Sequence, residues 1–184
     1  MSNNKILFVD LDGTLIKEDL SYLAVIEYFK KKPFKLFFHL INFLFKGKPY
    51  LKEKVSKNYQ VPFNKITFNK GVLDFVKNEK NRSRIVYLIS GSHQILVDQI
   101  DDYLKIFFKS FGTKNQYNMV GLNKVKFINE NLKIYNFDYL GNSKKDLPIW
   151  NHCKKILYTN VSINLREIIE SSKFEKKEIK ENFN

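Results

Sequence analysis

Cysteine is almost missing from this chain: Cys153 is the only one in 184 residues. A disulfide framework is therefore excluded, and the composition suits a reducing compartment. Set among apolar neighbours, the single thiol has the character of a packing residue rather than a nucleophile. Arginine is scarce, at three of the 32 basic residues, and no nucleic-acid-binding motif is visible. Long apolar runs are missing too. No stretch reaches the roughly 18 consecutive apolar residues that a membrane span needs. Residues 1–5 lead into a strand without the apolar segment of a signal peptide. A cytoplasmic protein is expected. There is no internal repeat.

What the chain does have is enough apolar material for a sizeable core. Hydrophobic residues make up 43%, with 17 Phe and 10 Tyr, and the length suits one domain with a small inserted module. The formal charge is +13, which by itself invites a nucleic-acid partner. Its distribution argues against one. Residues 30–57 hold nine Lys and the single acid Glu53, so eight of the thirteen excess charges sit in one short segment.

Residues 6–14, Ile-Leu-Phe-Val-Asp-Leu-Asp-Gly-Thr, organise the rest. Four apolar residues in a row suggest a buried parallel strand. Asp10 and Asp12 follow two apart, so an extended backbone turns both carboxylates to one side. Gly13 permits a sharp turn just beyond them. Carboxylates at the carboxyl end of a buried strand stand where open α/β sheets bind ligands. One could attack a phosphorus atom while the other manages the proton.

Further along, residues 19–32 have helical spacing with Asp19 as N-cap. Residues 34–45 are almost wholly apolar. Lys35, His39, Asn42 and Lys46 step by four, three and four, which leaves one narrow polar stripe. His39 on that stripe is expected to be structural. Gly47-Lys48-Pro49 ends the run, and residues 50–59 suggest a third helix. An α/β pattern then resumes. A helix over 70–80 precedes the apolar strand 85–89, which ends in the turn Ser90-Gly91-Ser92 before a helix over 94–104. Small hydroxyl residues there form a natural phosphate cradle. A third strand is expected over 106–111, a helix after Lys124, a strand ending at Gly141, a helix from Leu147, a fifth strand over 156–159 and a helix over 164–170. From Ser171 the Lys/Glu-rich tail is expected to fray or be disordered.

Asp10-Leu11-Asp12-Gly13-Thr14, then Ser90, then Lys124, then Gly141-Asn142 with Asp146, resemble in order the four motifs of the haloacid dehalogenase (HAD) superfamily. Most of its members are Mg²⁺-dependent phosphatases. The resemblance implies a doubly wound parallel sheet in the order 3-2-1-4-5. It divides the chain into an α/β core (1–14 and 69–170), a helical cap (15–68) and the tail (171–184). It also implies hydrolysis of a phosphate monoester through an aspartyl-phosphate, with Asp10 as nucleophile and Asp12 as general acid and base. Ser90 and Gly91 would bind the phosphoryl group together with Lys124, which is preferred over Lys126 and Lys114. Asp10, Asp12, Asn142 and Asp146 would form the Mg²⁺ site. Asn142 departs from the family pattern, which has an acid at that position. An amide can ligate Mg²⁺ but brings no charge, and Asp146 is then either a ligand or a brace for Lys124.

A closer likeness, carried by Lys46-Gly47-Lys48, Phe68-Asn69-Lys70-Gly71-Val72 and residues 137–150, is to the HAD domain fused to UbiA-type prenyltransferases. It implies a lipid-linked or prenyl-pathway phosphate as substrate. It also implies contact with a membrane or with a separate prenyltransferase chain. The alternative, motivated by Asn142, is a weakly active or inactive module that binds such a partner. Two placements stand open for the apolar run 34–45. Either the other cap helices and the core cover it, or part of it rests on a membrane surface beside its flanking lysines.

Overall fold

The computed structural model describes residues 6–183. Residues 1–5 and 184, which the expected core and tail ranges include, lie outside the described residues. Six parallel strands form one sheet: β1 (Ile6–Val9), β2 (Ile85–His93), β3 (Lys109–Thr113), β4 (Asp138–Gly141), β5 (Lys155–Tyr158) and β6 (Glu175–Glu178), in the order β3-β2-β1-β4-β5-β6. The expected order 3-2-1-4-5 is therefore present and extended by one strand at its edge. The reversal of direction beside β1 is the switch point at which such sheets bind ligands.

Alternation along β1 sorts the core into two layers. Leu7 and Val9 face one side with Leu88, Leu140 and Leu157. There they meet helices α1 (Leu20–Lys31), α2 (Pro33–Ser56), α3 (Lys70–Asn81) and α4 (Gln94–Leu104). Phe8 faces the other side with Tyr139, Ile156 and Tyr158. That layer is closed by α5 (Leu122–Lys126), α6 (Leu147–Trp150) and α7 (Ile163–Ser171), which bring in Val125, Ile149, Trp150 and Leu165.

Between β1 and α3 the chain leaves the sheet as α1 and α2. Asp19 caps α1 by accepting from the Tyr22 amide at 3.0 Å. Helix α2 breaks at Gly47, whose φ of +73° and ψ of −178° are non-helical, so it comprises two arms. His39 ties them to α1: its ring nitrogens meet the hydroxyls of Tyr50 at 3.0 Å and Tyr28 at 3.1 Å. The apolar run on the first arm is left largely uncovered. Leu36 is buried, whereas Phe34 and Phe45 are each 84% exposed and Leu44 is 76% exposed. Helix α1 meets the side that carries Leu36 and His39, and the opposite side is exposed.

Three expectations change in detail. Strand β2 runs on through Ser90-Gly91-Ser92 to His93, with an irregular register toward β3, instead of turning there. Strand β3 begins at Lys109, level with Tyr87, after the left-handed Lys105 ends α4; the Phe108 amide already donates to the Val86 carbonyl at 2.8 Å. The tail is not frayed over residues 175–178. Its backbone pairs with β5, Arg166 forms an ion pair with Glu178, and Ile179 is buried at 6% exposure with its amide on the Tyr158 carbonyl at 2.8 Å. Side-chain alternation cannot reveal such a strand, since pairing of the main chain and one apolar anchor hold it. Ile179→Ala should therefore cost about 2 kcal/mol, the low end for a truncated core residue. The melting temperature should fall by roughly 4–8 °C. A thermal melt checks this, and a shift below about 1 °C would mean that the tail adds nothing to the fold.

Candidate active site

The carboxyl ends of three adjacent strands meet at Asp10. The register places Val9 beside Leu88 and Leu140, and the Asp10 amide donates to the Leu140 carbonyl at 2.9 Å. Asp10 just after β1, Ser90 within β2 and Asn142 just after β4 therefore arrive together although 80 and 52 positions separate them in sequence. Gly13 (φ +77°) turns the chain back just after the carboxylates. The positive φ favours glycine, and a Cβ there would lie 2.3 Å from Asn142 Nδ2, so the Asn142 side chain would have to move.

Lys124, buried near the start of α5, donates from Nζ to Asp10 Oδ1 at 2.7 Å and to the Tyr139 hydroxyl at 2.7 Å. Tyr139 passes the chain on, donating to Asp146 Oδ1 at 2.7 Å, and Lys124 itself lies 3.9 Å from that oxygen. The other oxygen, Asp146 Oδ2, accepts from the amides of Asn142 (3.1 Å) and Ser143 (3.0 Å) and from the Ser143 hydroxyl (3.1 Å). Both oxygens of Asp146 are thus engaged, which makes it the brace of the loop rather than a free ligand. Asn142 Oδ1 accepts from the Thr14 hydroxyl at 3.2 Å.

Asp12 is held separately. Its Oδ2 accepts from Ser90 at 2.8 Å and Ser92 at 2.9 Å, and its Oδ1 from the Leu20 amide at 2.9 Å. Ser90 is fully buried behind Asp12 and does not line the cavity; Gly91 and Ser92 do. The reason is the extension of β2: as alternate residues of a strand, both serines turn toward Asp12.

These groups open into a cavity of about 430 Å³, lined also by Lys17, Lys48, Lys52, Asn118 and Lys145. Lys52 enters from the second arm of α2 and donates to the Gly91 carbonyl (2.6 Å) and Asn118 Oδ1 (2.8 Å). Nothing in the sequence distinguishes Lys52 from its neighbouring lysines. Tyr139 was equally hidden, since it resembles any aromatic core residue on a strand. Lys126 and Lys114, the alternatives to Lys124, do not line this cavity.

Burial raises the pKa of the Asp10 carboxyl to about 7; Lys124 opposes this, while Asp146 and Asp12 add to it. Asp12 is also raised, by burial and then by Asp19, against the hydrogen bonds from Leu20, Ser90 and Ser92. Lys52 is lowered to about 8 by burial. Among the described residues no three His, Cys, Asp or Glu side chains gather as a metal cluster. Any cation here would depend on mixed oxygen donors.

No protein-family model matches the chain. The uncharacterised protein y4nM of Sinorhizobium fredii (strain NBRC 101917 / NGR234) is 32% identical over 144 residues, covering 78% of this chain and 28% of that protein. The chain therefore spans less than a third of this relative's length. Among solved structures, a protein of unknown function from Bordetella pertussis Tohama I superposes with a TM-score of 0.68 at 13% identity, covering 93% and 96% of the two chains. A substrate-bound phosphoserine phosphatase follows at 0.60 and 16%, covering 98% and 96%. A HAD family hydrolase of Salmonella enterica serovar Typhi gives 0.60 and 16%, covering 97% and 68%. The fold is that of the HAD hydrolases. Within this HAD fold, Asp10 stands at the switch point of the sheet, at the end of its third strand from one edge.

The raised Asp10 carboxyl carries a pH signature. A carboxyl whose folded pKa lies above its unfolded value binds more protons folded than unfolded. Its contribution to stability is therefore present below the unfolded pKa and lost as pH rises through the folded one. In metal-free protein the window runs from 3.8 to about 7. Asp10→Asn should become progressively more stable relative to the parent as pH rises through that window. Paired thermal melts in chelator measure this, and a difference independent of pH would refute the burial argument.

Proposed function

We propose that this protein is a Mg²⁺-dependent phosphate monoester hydrolase that works through an aspartyl-phosphate on Asp10. The observation that carries this is the position of Asp10. It ends a central strand and faces the cavity, with one oxygen on Lys124, itself tied to Asp146 through Tyr139. Asp10 would attack phosphorus in line as the bond to the leaving alcohol breaks, and Asp12 would give that alcohol its proton. Water would then cleave the acyl phosphate while Asp12 takes the proton back. The raised pKa of Asp12 suits a group that must carry a proton between the two steps. Lys124 offsets charge on Asp10 and on the phosphoryl oxygens. Gly91 and Ser92 border the phosphoryl position, and Ser90 acts through Asp12, which it holds in place.

The donor set fits a hard, oxygen-bound cation: the Asp10 carboxylate, the Asp12 main-chain carbonyl and the Asn142 amide, with Asp146 holding the loop. When bound, Mg²⁺ would screen the charge that gathers as two anions approach.

The substrate we infer is amphiphilic. Lys17, Lys48, Lys52 and Lys145 make the cavity attractive to anions. Beside it lies a groove of about 270 Å³ lined by Tyr22, Val25, Phe43, Leu51 and Val55, which shares Lys48 and Lys52 with the cavity. A lipid-linked or prenyl-type phosphate would place its phosphate in the first and its tail in the second. Action in the cytoplasm is in keeping with the single, buried, reduced Cys153. A second reading, favoured by the uncharged Asn142, is a weakly active module whose main task is to bind a partner such as a membrane prenyltransferase.

Two experiments test these readings. A screen of phosphorylated metabolites and polyprenyl phosphates, with and without Mg²⁺, should give turnover that Asp10→Asn lowers by at least about a thousandfold. Loss of less than about tenfold would remove Asp10 as nucleophile, and no turnover on any substrate would favour the partner-binding module. Asn142→Asp adds a charged ligand at the same size, so it should lower the Mg²⁺ needed for half-maximal activity severalfold. An unchanged requirement would mean that this loop does not face the metal.

A further inference from the structure

The outer face of α2 plays no part in the chemistry above. Phe34, Phe37, Phe38, Ile41, Leu44 and Phe45 are all exposed there, from 42% at Ile41 to 84% at Phe34 and Phe45. With 3.6 residues per turn these six side chains fall within about 120° of the helix circumference. They form one continuous apolar face. A patch of this extent on a folded chain marks contact with another molecule or phase.

The fringe of the patch is predominantly basic, although Lys31 is ion-paired with Glu27 on α1 at 2.9 Å. Lys30, Lys31 and Lys32 lie at its entry, Lys35 and Lys46 along one border and Lys48 beyond the break at Gly47; all six are exposed. Residues 30–52 hold seven lysines and no acid. This charge pattern discriminates between occupants. A second copy of the chain, paired about a two-fold axis, would set the same basic fringe against itself. An anionic bilayer presents the opposite charge around an apolar interior and satisfies both features. The 14-residue first arm is about 21 Å long, short of a hydrocarbon core of roughly 30 Å. No helix among the described residues is long and apolar enough to cross a membrane. The arm therefore suits lying along the interface.

We propose that the outer face of α2 docks on an anionic lipid surface, its phenylalanines entering the boundary between headgroups and acyl chains and its lysines resting on headgroup phosphates. The inference stands apart from the phosphatase reading and holds whether or not the site turns over. It does join the two ends of the same helix, because the second arm of α2 sends Lys48 and Lys52 to the cavity.

Co-sedimentation with vesicles tests it. The full chain should pellet with phosphatidylglycerol-containing vesicles at low salt, and should stay in solution with pure phosphatidylcholine or at high salt. The triple variant Phe34→Ser, Phe38→Ser, Phe45→Ser, which keeps every lysine, should lose at least about fivefold in binding. So should the variant with Lys30, Lys31, Lys32, Lys35 and Lys46 changed to Gln. All these side chains are exposed, and unchanged thermal melts will confirm folding. A parent that ignores anionic vesicles at low salt overturns the proposal. So does a triple variant that binds as the parent does, since net charge alone would then explain the attraction. A dimer in sedimentation equilibrium that the same three substitutions abolish would overturn it in favour of self-association.

Discussion

One buried cation holds the site together. The Lys124 ammonium lies between Asp10 on the central strand and the Tyr139–Asp146 pair on the next strand and its loop. Three carboxylates, those of Asp10, Asp12 and Asp146, converge on this end of the sheet. Gathering them in a poorly solvated place would be strongly unfavourable without a compensating charge. Lys124 supplies it, and Tyr139 lets one ammonium serve two acids. The strand ends, the β4 loop and α5 are thereby held to one another by electrostatics as well as by the apolar packing of Phe8, Val125 and Ile149.

This arrangement explains why the parts of the site differ in rigidity. Asp146 spends both oxygens on neighbours and behaves as framework. Asp12 rests on two serines and the first amide of α1, so the same carboxylate joins the core to the helical excursion that follows it. Lys52 closes the circle by returning from that excursion to the Gly91 carbonyl. The two helices between β1 and α3 are therefore tied to the cavity at both ends. Between those ties, the first arm of α2 packs inward through Leu36 and His39 and turns its apolar side outward.

The resulting molecule has two contrasting surfaces on one helix. Its second arm faces a lysine-lined cavity suited to phosphate, and its first arm presents phenylalanines ringed by lysines. Gly47, with its positive φ, separates the two. A straight helix would carry both characters on one repeating face, whereas the break allows each arm its own orientation.

Much of this was legible in the residues. The apolar run before Asp10 suggested a buried strand, since four apolar residues in sequence ended at once in a turn signal. Asp-x-Asp-Gly then had to place two carboxylates on one side of a turn. Asp19 and Pro33 bounded α1 through local hydrogen-bond and ring geometry, which the chain carries with it. What sequence could not decide were matters of distance between remote segments. Tyr139 became a bridge only because Lys124, 15 positions away, lies within hydrogen-bond reach. Ser90 turned to Asp12 and away from the cavity because β2 continued past it. The charged tail became a strand because an unpaired edge of β5 was available to receive its backbone. Whether residues 34–45 were covered depended on how far α1 reaches around them. Local propensity acts over a few residues and is written in the chain, while such contacts are settled only when the whole fold closes.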